Sequence, residues 1–414
     1  MLDVSQAPPS VRTPYLACAI IGLGGLFAGV TGPLLSTFIP PLVRDALGDH
    51  RTAIGLVMAI DNILLLVLVP WSGTMSDRSN ARGRGRKPLI LSGFLLAAAG
   101  MALFPSSPAF GLAGIVASMI ALYTGINLQR APVQALLADL VPSPYRALAT
   151  GSVTFQMCAG AIVFLMLGRL LGMRPAFMIA AVTVVAIAAI FAIGVPSPTA
   201  LRRTSGEPAS STAAAGDPTY ASLATAVMSA VRGTMPGLRA IFVATLLLQL
   251  TFQSFTTWYS LHAIERFGIR PEDVSIGFIA WALGGVIGSL PAGVIGTRFG
   301  RRRAMLIGFA AMAVCLVALN VVTSASQAVP LIAMASACWT LPMVNAYPLF
   351  VEPIPREHRG VLAAMFLLTM ALGGGIGDPL NGSLFDLFDS YRPLFLMMAS
   401  YTTLAFVVIG RGRF

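Results

Sequence analysis

The chain has 414 residues, of which 56% are hydrophobic and only 10% are charged, and its mean hydropathy is +0.82. Soluble domains carry roughly 25% charged residues, so this composition requires an apolar solvent and excludes an ordinary soluble protein. The net charge of +11 lies in short clusters between apolar runs, without interleaved base-stacking aromatics. We therefore expect a lipid bilayer as partner and no nucleic acid.

Twelve mainly apolar stretches approach or exceed the 20 or so residues that a bilayer span needs. They are residues 14–39, 52–74, 88–104, 109–138, 147–170, 175–195, 239–263, 273–296, 304–323, 328–350, 360–385 and 393–410. The sequence thus predicts an all-α membrane protein with two six-helix halves, 1–195 and 239–414. The polar segment 196–238 between them predicts a cytoplasmic linker, with a short amphipathic helix near residues 223–232.

The distribution of Arg and Lys predicts the orientation of the chain. If both termini are cytoplasmic, the cytoplasmic segments carry 19 of these residues and the outer loops carry seven. Positive residues concentrate on the cytoplasmic side of membrane proteins. We therefore expect a multi-pass protein of the cytoplasmic (inner) membrane, with both termini in the cytoplasm.

Cysteine and histidine offer no metal site in the sequence. Each of the four cysteines lies inside a different apolar stretch, which predicts free, packed thiols. The three histidines lie in predicted loops or at span ends, without an acidic cluster beside them. We expect no metal and no cofactor, and we find no nucleophile paired with a base that would indicate an enzyme.

A basic loop occurs twice, in residues 73–88 and again in residues 293–303, about half a chain apart. A second repeated pattern has an acid, a proline and an arginine at equal spacing, displaced by 213 residues: Asp139, Pro142 and Arg146, then Glu352, Pro355 and Arg359. Both repeats follow equivalent spans of the two halves. Two six-span halves repeated in parallel are the architecture of the major facilitator transporters.

The first basic loop also carries a family resemblance. Its motif, Pro70-x-x-Gly73-x-x-Ser76-Asp77-Arg78-x-x-x-Arg82-x-x-x-Arg86-Lys87-Pro88, resembles the loop between spans 2 and 3 of the glycoside–pentoside–hexuronide cation symporters. Within that group the likeness is to the sucrose and proton-coupled sugar transporters and their bacterial relatives. Three further stretches are similar: Ala59-Ile-Asp61-Asn62, Arg130-Ala-Pro132-x-x-Ala-Leu-Leu-x-Asp139, and Asp386-Leu-Phe-x-x-Tyr-Arg-Pro-Leu-Phe395.

The charged loops predict a cytoplasmic gate, because oppositely charged groups at this edge can pair in one conformation and separate in another. The alternative is that they are ordinary positive-inside charges, and we prefer it for Arg82, Arg84 and Arg302. The predicted gate consists of Gly73, Asp77, Arg78, Asp139, Arg146, Arg298, Glu352 and Arg359.

Two charged residues lie deep in predicted spans. Asp61 is about 20 Å from the cytoplasmic end of span 2, and a central Asp costs roughly 2.5–3.5 kcal/mol to insert. It is either a cation-coupling acid or a static, paired or protonated carboxyl. Arg130 in span 4 is its expected partner or a substrate ligand. Asp378, in span 11, is either a second buried acid or a residue of the outer mouth.

Polar side chains at helical spacing predict the substrate-binding surface, since a polar stripe on an apolar helix should face a water-filled cavity. The candidates are Asn62, Tyr123, Asn127, Arg130, Gln134, Gln249, Gln253, Thr256 and Asn345. Aromatic residues flank the stripe of span 7, where Trp258 and Tyr259 could equally belong to an interfacial belt.

We predict a secondary transporter that works by alternating access and imports a sugar or glycoside together with a proton. The sugar is implied by the resemblance, since polar stripes alone suit many solutes. Proton-driven efflux of a drug or metabolite remains the alternative, and sodium could replace the proton. We expect the monomer to be the functional unit.

Overall fold

The computed structural model describes residues 14–141, 145–195, 237–351 and 359–412, and all its regular elements are helices. The predicted linker helix near 223–232 and the residue Glu352 lie outside the described residues. Before the linker the helices are α1 Pro14–Leu47, α2 Arg51–Met58, α3 Ile60–Ala81, α4 Lys87–Leu103, α5 Gly111–Leu140, α6 Arg146–Leu171 and α7 Met173–Gly194. A 3-10 helix, Phe104–Phe110, joins α4 to α5.

After the linker the chain continues as helices of similar length. They are α8 Leu238–Phe267, α9 Ser275–Phe299, α10 Arg301–Val321, α11 Ala325–Val351, α12 Arg359–Gly375, α13 Gly377–Phe388 and α14 Leu394–Arg411. The predicted spans therefore all fall on helices, with the second and eleventh spans each divided in two. The all-α fold class is confirmed.

Length and composition qualify nine helices of the described chain as candidate spans, or ten if a pair bent by 42°, Pro271–Ser289 and Pro291–Phe299, is counted as one. The difference between ten and twelve has two sources. The run Lys87–Leu137 contains two predicted spans that the 3-10 helix connects. The eleventh span is divided into α12 and α13, of 17 and 12 residues.

Glycine explains the break in the eleventh span. The chain reads Gly-Gly-Gly-Ile-Gly from Gly373 to Gly377, and each helical glycine costs about 1 kcal/mol relative to alanine. Helix α12 ends at Gly375, and α13 starts two residues later, at Gly377. In the second span the break falls at Ala59, just before Asp61.

The described chain forms two compact units that do not coincide with the predicted halves. The first consists of residues 1–32, 67–164 and 174–214, and the second of residues 33–66, 165–173 and 215–414. Segments 33–66 and 165–173 therefore pack with elements that follow the linker. The two halves of the sequence stay a prediction.

Equivalent hydrogen bonds support the duplication of the chain. At the start of α4, Lys87 Nζ donates to the carbonyl of Ala192 near the end of α7, at 2.7 Å. At the start of α10, Arg302 Nη2 donates to the carbonyl of Gly410 near the end of α14, at 2.8 Å. The two basic residues are 215 positions apart, and the two acceptors 218. Each bond satisfies a carbonyl at a helix end that has no partner within its own helix.

Candidate functional site

The divided helices α2–α3 and α12–α13 contact each other within the second unit, and glycine makes this approach possible. A Cβ atom on Gly374 would overlap the side chain of Asn62 on α3. A Cβ atom on Gly55 of α2 would overlap the backbone of Asp378 and Pro379 on α13. The helices therefore pack with their backbones close together, at the level of both intramembrane acids.

Asp378 lies at this crossing and is completely buried. Among the described residues, neither carboxylate oxygen has a hydrogen-bond partner. Thr257 and Trp258 of α8 are the polar side chains beside it, and Trp258 Nε1 is likewise buried with no hydrogen-bond partner in the part of the chain that the structure describes. The structure thus identifies Asp378 as a second buried acid rather than a residue of the outer mouth.

Ion pairs join α2 to the end of α13, at the end of the span opposite the basic loop. The backbone N–H groups of Arg51 and Thr52 both donate to the Asp386 carboxylate, at 2.9 Å each. Arg51 Nη1 donates to Asp389 at 2.7 Å, and its guanidinium lies 5.0 Å from the ring centre of Tyr391. A carboxylate at a helix N-terminus satisfies free N–H groups, so Asp386 caps α2 from a distant part of the chain.

The first basic loop contains a different ion-pair network, within the first unit. Arg86 donates from Nε to Asp139 at 2.7 Å and from Nη1 to Asp77 and, at 3.1 Å, to Ser76. Burial alone would lower the pKa of Arg86, but its hydrogen bonds to Asp139 and Asp77 raise that pKa above the ordinary arginine value. A single guanidinium therefore ties the end of α3 to the end of α5.

The other predicted gate residues are placed as follows. Arg78 lines a surface cleft together with Arg82 and Arg84. Gly73 packs against the side chain of Ala131, and Arg298 is exposed at the end of α9. Arg146 and Arg359 begin α6 and α12, but their side chains lie outside the described set. Their gate role remains a prediction.

The polar stripe of α8 borders an aromatic cluster. Gln253 and Thr256 are partly exposed and bonded to each other, with Thr256 Oγ1 3.4 Å from Gln253 Oε1. Phe252, next to Gln253, stacks on Trp339 of α11 with ring centres 5.2 Å apart. One turn later, Phe255 stacks on Trp281 of α9 at 4.3 Å.

Most of the other candidate substrate residues are buried. The side chains of Asn62, Tyr123, Asn127, Gln249 and Asn345 are each at most 7% exposed. Asn345 Nδ2 donates to the carbonyls of Ala292 and Leu341, so its amide ties α11 to α9.

The predicted coupling residues belong to different compact units. Asp61 and Arg130 are both partly buried, on α3 in the second unit and on α5 in the first. Gln134 is exposed on α5, one turn beyond Arg130. Their coupling and binding roles remain predictions.

Sequence reasoning missed three functional candidates of the structure: Arg86, Arg51 and Asp386. Arg51 was counted only among the outer charges, and Arg86 was counted among the cytoplasmic charges and appeared in the family motif, without a predicted role. The signal for Asp386 was present, because Asp386 and Tyr391 both belong to the last of the resembling stretches. Pairing between residues 335 positions apart cannot be found from one sequence by spacing.

These features are typical of a multi-pass membrane carrier. The helices are apolar, their charges lie mainly at the ends, and a buried acid lies where two divided helices cross. The family model of the Major Facilitator Superfamily matches residues 21–262 and 241–412. The chain belongs to this superfamily.

Individual relatives are distant. The chain is 25% identical over 372 residues to the class E tetracycline resistance protein of Escherichia coli. The alignment covers 87% of this chain and 86% of the relative. A bacterial homologue of the human lysosomal transporter Spinster, in an inward-facing and occupied conformation, superposes with a TM-score of 0.74 at 12% identity over 95% of both chains. A variant of the nucleoside transporter NupG superposes with a TM-score of 0.71 at 13% identity, over 95% of this chain and 99% of that one.

Proposed function

We propose that this transporter exports an amphipathic compound, such as a drug or metabolite, in exchange for protons. The observation that carries the proposal is the surface of α8, where Gln253 and Thr256 adjoin the stacked rings of Phe252 and Trp339. Binding sites for drug-sized ligands are mostly apolar and aromatic, with a few placed polar groups. One amide and one hydroxyl beside aromatic faces fit such a ligand.

The same surface suits a sugar less well. A sugar presents many hydroxyl groups, and each one that loses water needs a hydrogen-bond partner on the protein. Five of the nine predicted substrate residues are buried, and the amide of Asn345 already bonds two backbone carbonyls. The likeness to a tetracycline resistance protein, which spans most of both chains, also supports export.

Asp61 is the proposed coupling acid and Arg130 its proposed counter-charge. In the exchange, cargo and proton bind alternately, so that loading Asp61 with a proton from outside favours release of the cargo there. Opening towards the cytoplasm then returns the proton to the side of lower acidity. A ligand shifts a conformational equilibrium only by its differential affinity for the two states, and protonation of a deep acid provides that difference.

Proteoliposomes with an acidic lumen test the exchange. The probes are tetracycline, a lipophilic cationic dye and a panel of labelled mono- and disaccharides, and a trapped pH-sensitive fluorophore reports protons leaving the lumen. We expect the dye or tetracycline to accumulate inside as protons leave. Asp61→Asn should abolish this accumulation, whereas Asp45→Asn, at a carboxylate 64% exposed, should retain it. Failure of both compounds to move would refute export.

Proton-coupled sugar uptake is the second candidate, and the motif of residues 70–88 favours it. The sucrose-transporter resemblance rests on this loop and three further stretches. Uptake predicts that a labelled sugar accumulates in vesicles under an inward proton gradient, while tetracycline and the dye release no protons. That pattern would replace the export proposal with symport.

A further inference from the structure

Asp378 has no role in the proposed exchange, yet it occupies an energetically costly position. Its side chain is 0% exposed, and both oxygens lack hydrogen-bond partners in the described part of the chain. Leu250 packs on the adjacent Gly377, and Phe385 and Trp258 pack against each other on the α13–α8 contact. Among the described residues, Thr257 and Trp258 are the polar side chains beside the carboxyl, and no compensating cation adjoins it.

Two opposing effects act on its charge. An ionised carboxylate buried without a partner is strongly destabilised, even after relaxation of the protein. Asp378 also lies in the first turn of α13, where the helix dipole stabilises a negative charge, but far more weakly than burial destabilises it. Burial therefore outweighs the dipole, and the neutral acid is the stable form in this packing.

The charged groups around Asp378 reinforce this conclusion. Asp61 on α3 lies within electrostatic range, and its negative charge disfavours a second one. Arg51 of α2 is engaged with Asp386 and Asp389, about 12 Å along α13 from Asp378. On α8 the neighbours Thr257 and Trp258 are neutral, and Tyr401 of α14 donates to Asn381.

We propose that Asp378 is a second proton-binding carboxyl, which forms a two-acid proton site with Asp61 where the divided helices cross. While α2–α3 and α12–α13 are packed together, Asp378 retains its proton. When they separate and water reaches the site, the proton leaves to water and the carboxylate remains. Two interacting acids titrate as a pair, so one exchange cycle can carry a second proton.

Infrared spectroscopy tests the site without any cargo, which separates it from the proposed function on which it rests. The purified protein is titrated in detergent around neutral pH, and the C=O stretching band of protonated carboxyl groups is recorded. We expect a band that Asp378→Asn lacks and that Asp378→Glu retains at a shifted frequency. The control, Asp45→Asn, removes a carboxylate that is 64% exposed and lies outside the α2–α13 contact, and it should leave the band unchanged.

Unchanged carboxyl bands in Asp378→Asn, with native helix content by circular dichroism, would overturn the proposal. If Asp378→Asn does not fold, loss of the band from Asp61→Asn together with no band from Asp378→Glu would also overturn it. A band that disappears when sodium chloride is added at constant pH would assign the site to a sodium ion rather than a proton. A present band combined with no transport of any probe would keep the proton site and refute only the exporter.

Discussion

At the scale of single residues, Arg86 anchors the basic loop to the neighbouring helices α3 and α5. Its side chain is 11% exposed and bonds the carboxylates of Asp77, near the end of α3, and Asp139, near the end of α5. Arg78, Arg82 and Arg84 are neighbours in sequence but line a surface cleft instead. The repeated motif therefore contains one structural guanidinium among several solvated ones.

Replacing Arg86 should weaken the first unit. Arg86→Ala removes charge-assisted hydrogen bonds to Asp77 and Asp139 and leaves two carboxylates without a counter-charge. We expect a loss of about 1–3 kcal/mol, discounted because both carboxylates are partly exposed. Thermal unfolding of the purified protein in detergent measures this as a lower transition midpoint.

Two further variants separate the geometry of Arg86 from its charge. Arg86→Lys keeps the charge but cannot bond both acids through a fixed fork, so its midpoint should lie between those of the wild type and Arg86→Ala. Arg84→Ala, in the same loop and exposed, should leave the midpoint unchanged. Equal effects of Arg84→Ala and Arg86→Ala would show that only the net charge of the loop matters.

At this scale the sequence predicted which charged residues lie at the same edge of the helices, but it did not predict which of them form ion pairs. It indicated that Asp77 and Asp139 belong to one charged edge, and both contact the same arginine. It included Arg78 and Arg146 in the predicted gate and left out Arg86. Helix geometry decides otherwise, since Arg86 immediately precedes α4 and can reach the ends of both neighbouring helices.

Among elements, the divided helices contribute most to the candidate site. Both breaks fall close to an acid, at Ala59 before Asp61 and at Ile376 before Asp378. The glycine run accounts for the break in span 11, but no comparable sequence feature marks Ala59 in span 2. Broken helices at membrane depth typically surround ion and substrate sites in transporters.

The contact between α2 and α13 can be tested by cross-linking. Thr52 Oγ1 and Ser383 Oγ lie 3.3 Å apart, so the two side chains meet across the contact between the helices. In a variant without the four native cysteines, we expect Thr52→Cys with Ser383→Cys to cross-link under mild oxidation in membranes. Mass spectrometry of the joined peptides measures the yield.

Exposed positions on the same two helices provide the control for this cross-link. Leu56 and Leu387 are 58% and 76% exposed, so Leu56→Cys with Leu387→Cys should remain reduced. Under the transport proposal, the Thr52–Ser383 cross-link also stops exchange, and a reductant restores it. Transport that continues at full rate with the cross-link intact would show that α2 and α13 do not separate in the cycle.

For the whole molecule, hydrophobicity and charge were sufficient to predict the class of fold. Twelve apolar stretches became helices, because each backbone polar group in a bilayer must be satisfied within its own segment. The bonds of Lys87 and Arg302 add a structural sign of duplication to the repeated motifs. Packing across the linker was not predictable, since no local sequence pattern indicates that the segment 33–66 joins the second unit.

Orientation is the remaining whole-molecule prediction, and it follows from the charge asymmetry of 19 to seven. Single cysteines replace Arg84 in the basic loop and Arg270 before α9, both exposed, in the variant without native cysteines. With a membrane-impermeant maleimide we expect Arg270→Cys to be labelled in intact cells, and Arg84→Cys only after the membrane is broken. Arg270 is suitable because Arg169 still bonds Asp273, at 3.0 Å, when Arg270 is replaced. Labelling in the reverse order would invert the topology, and would put the pair of Arg51 and Asp386 on the cytoplasmic side and the bonds of Arg86 on the outer side.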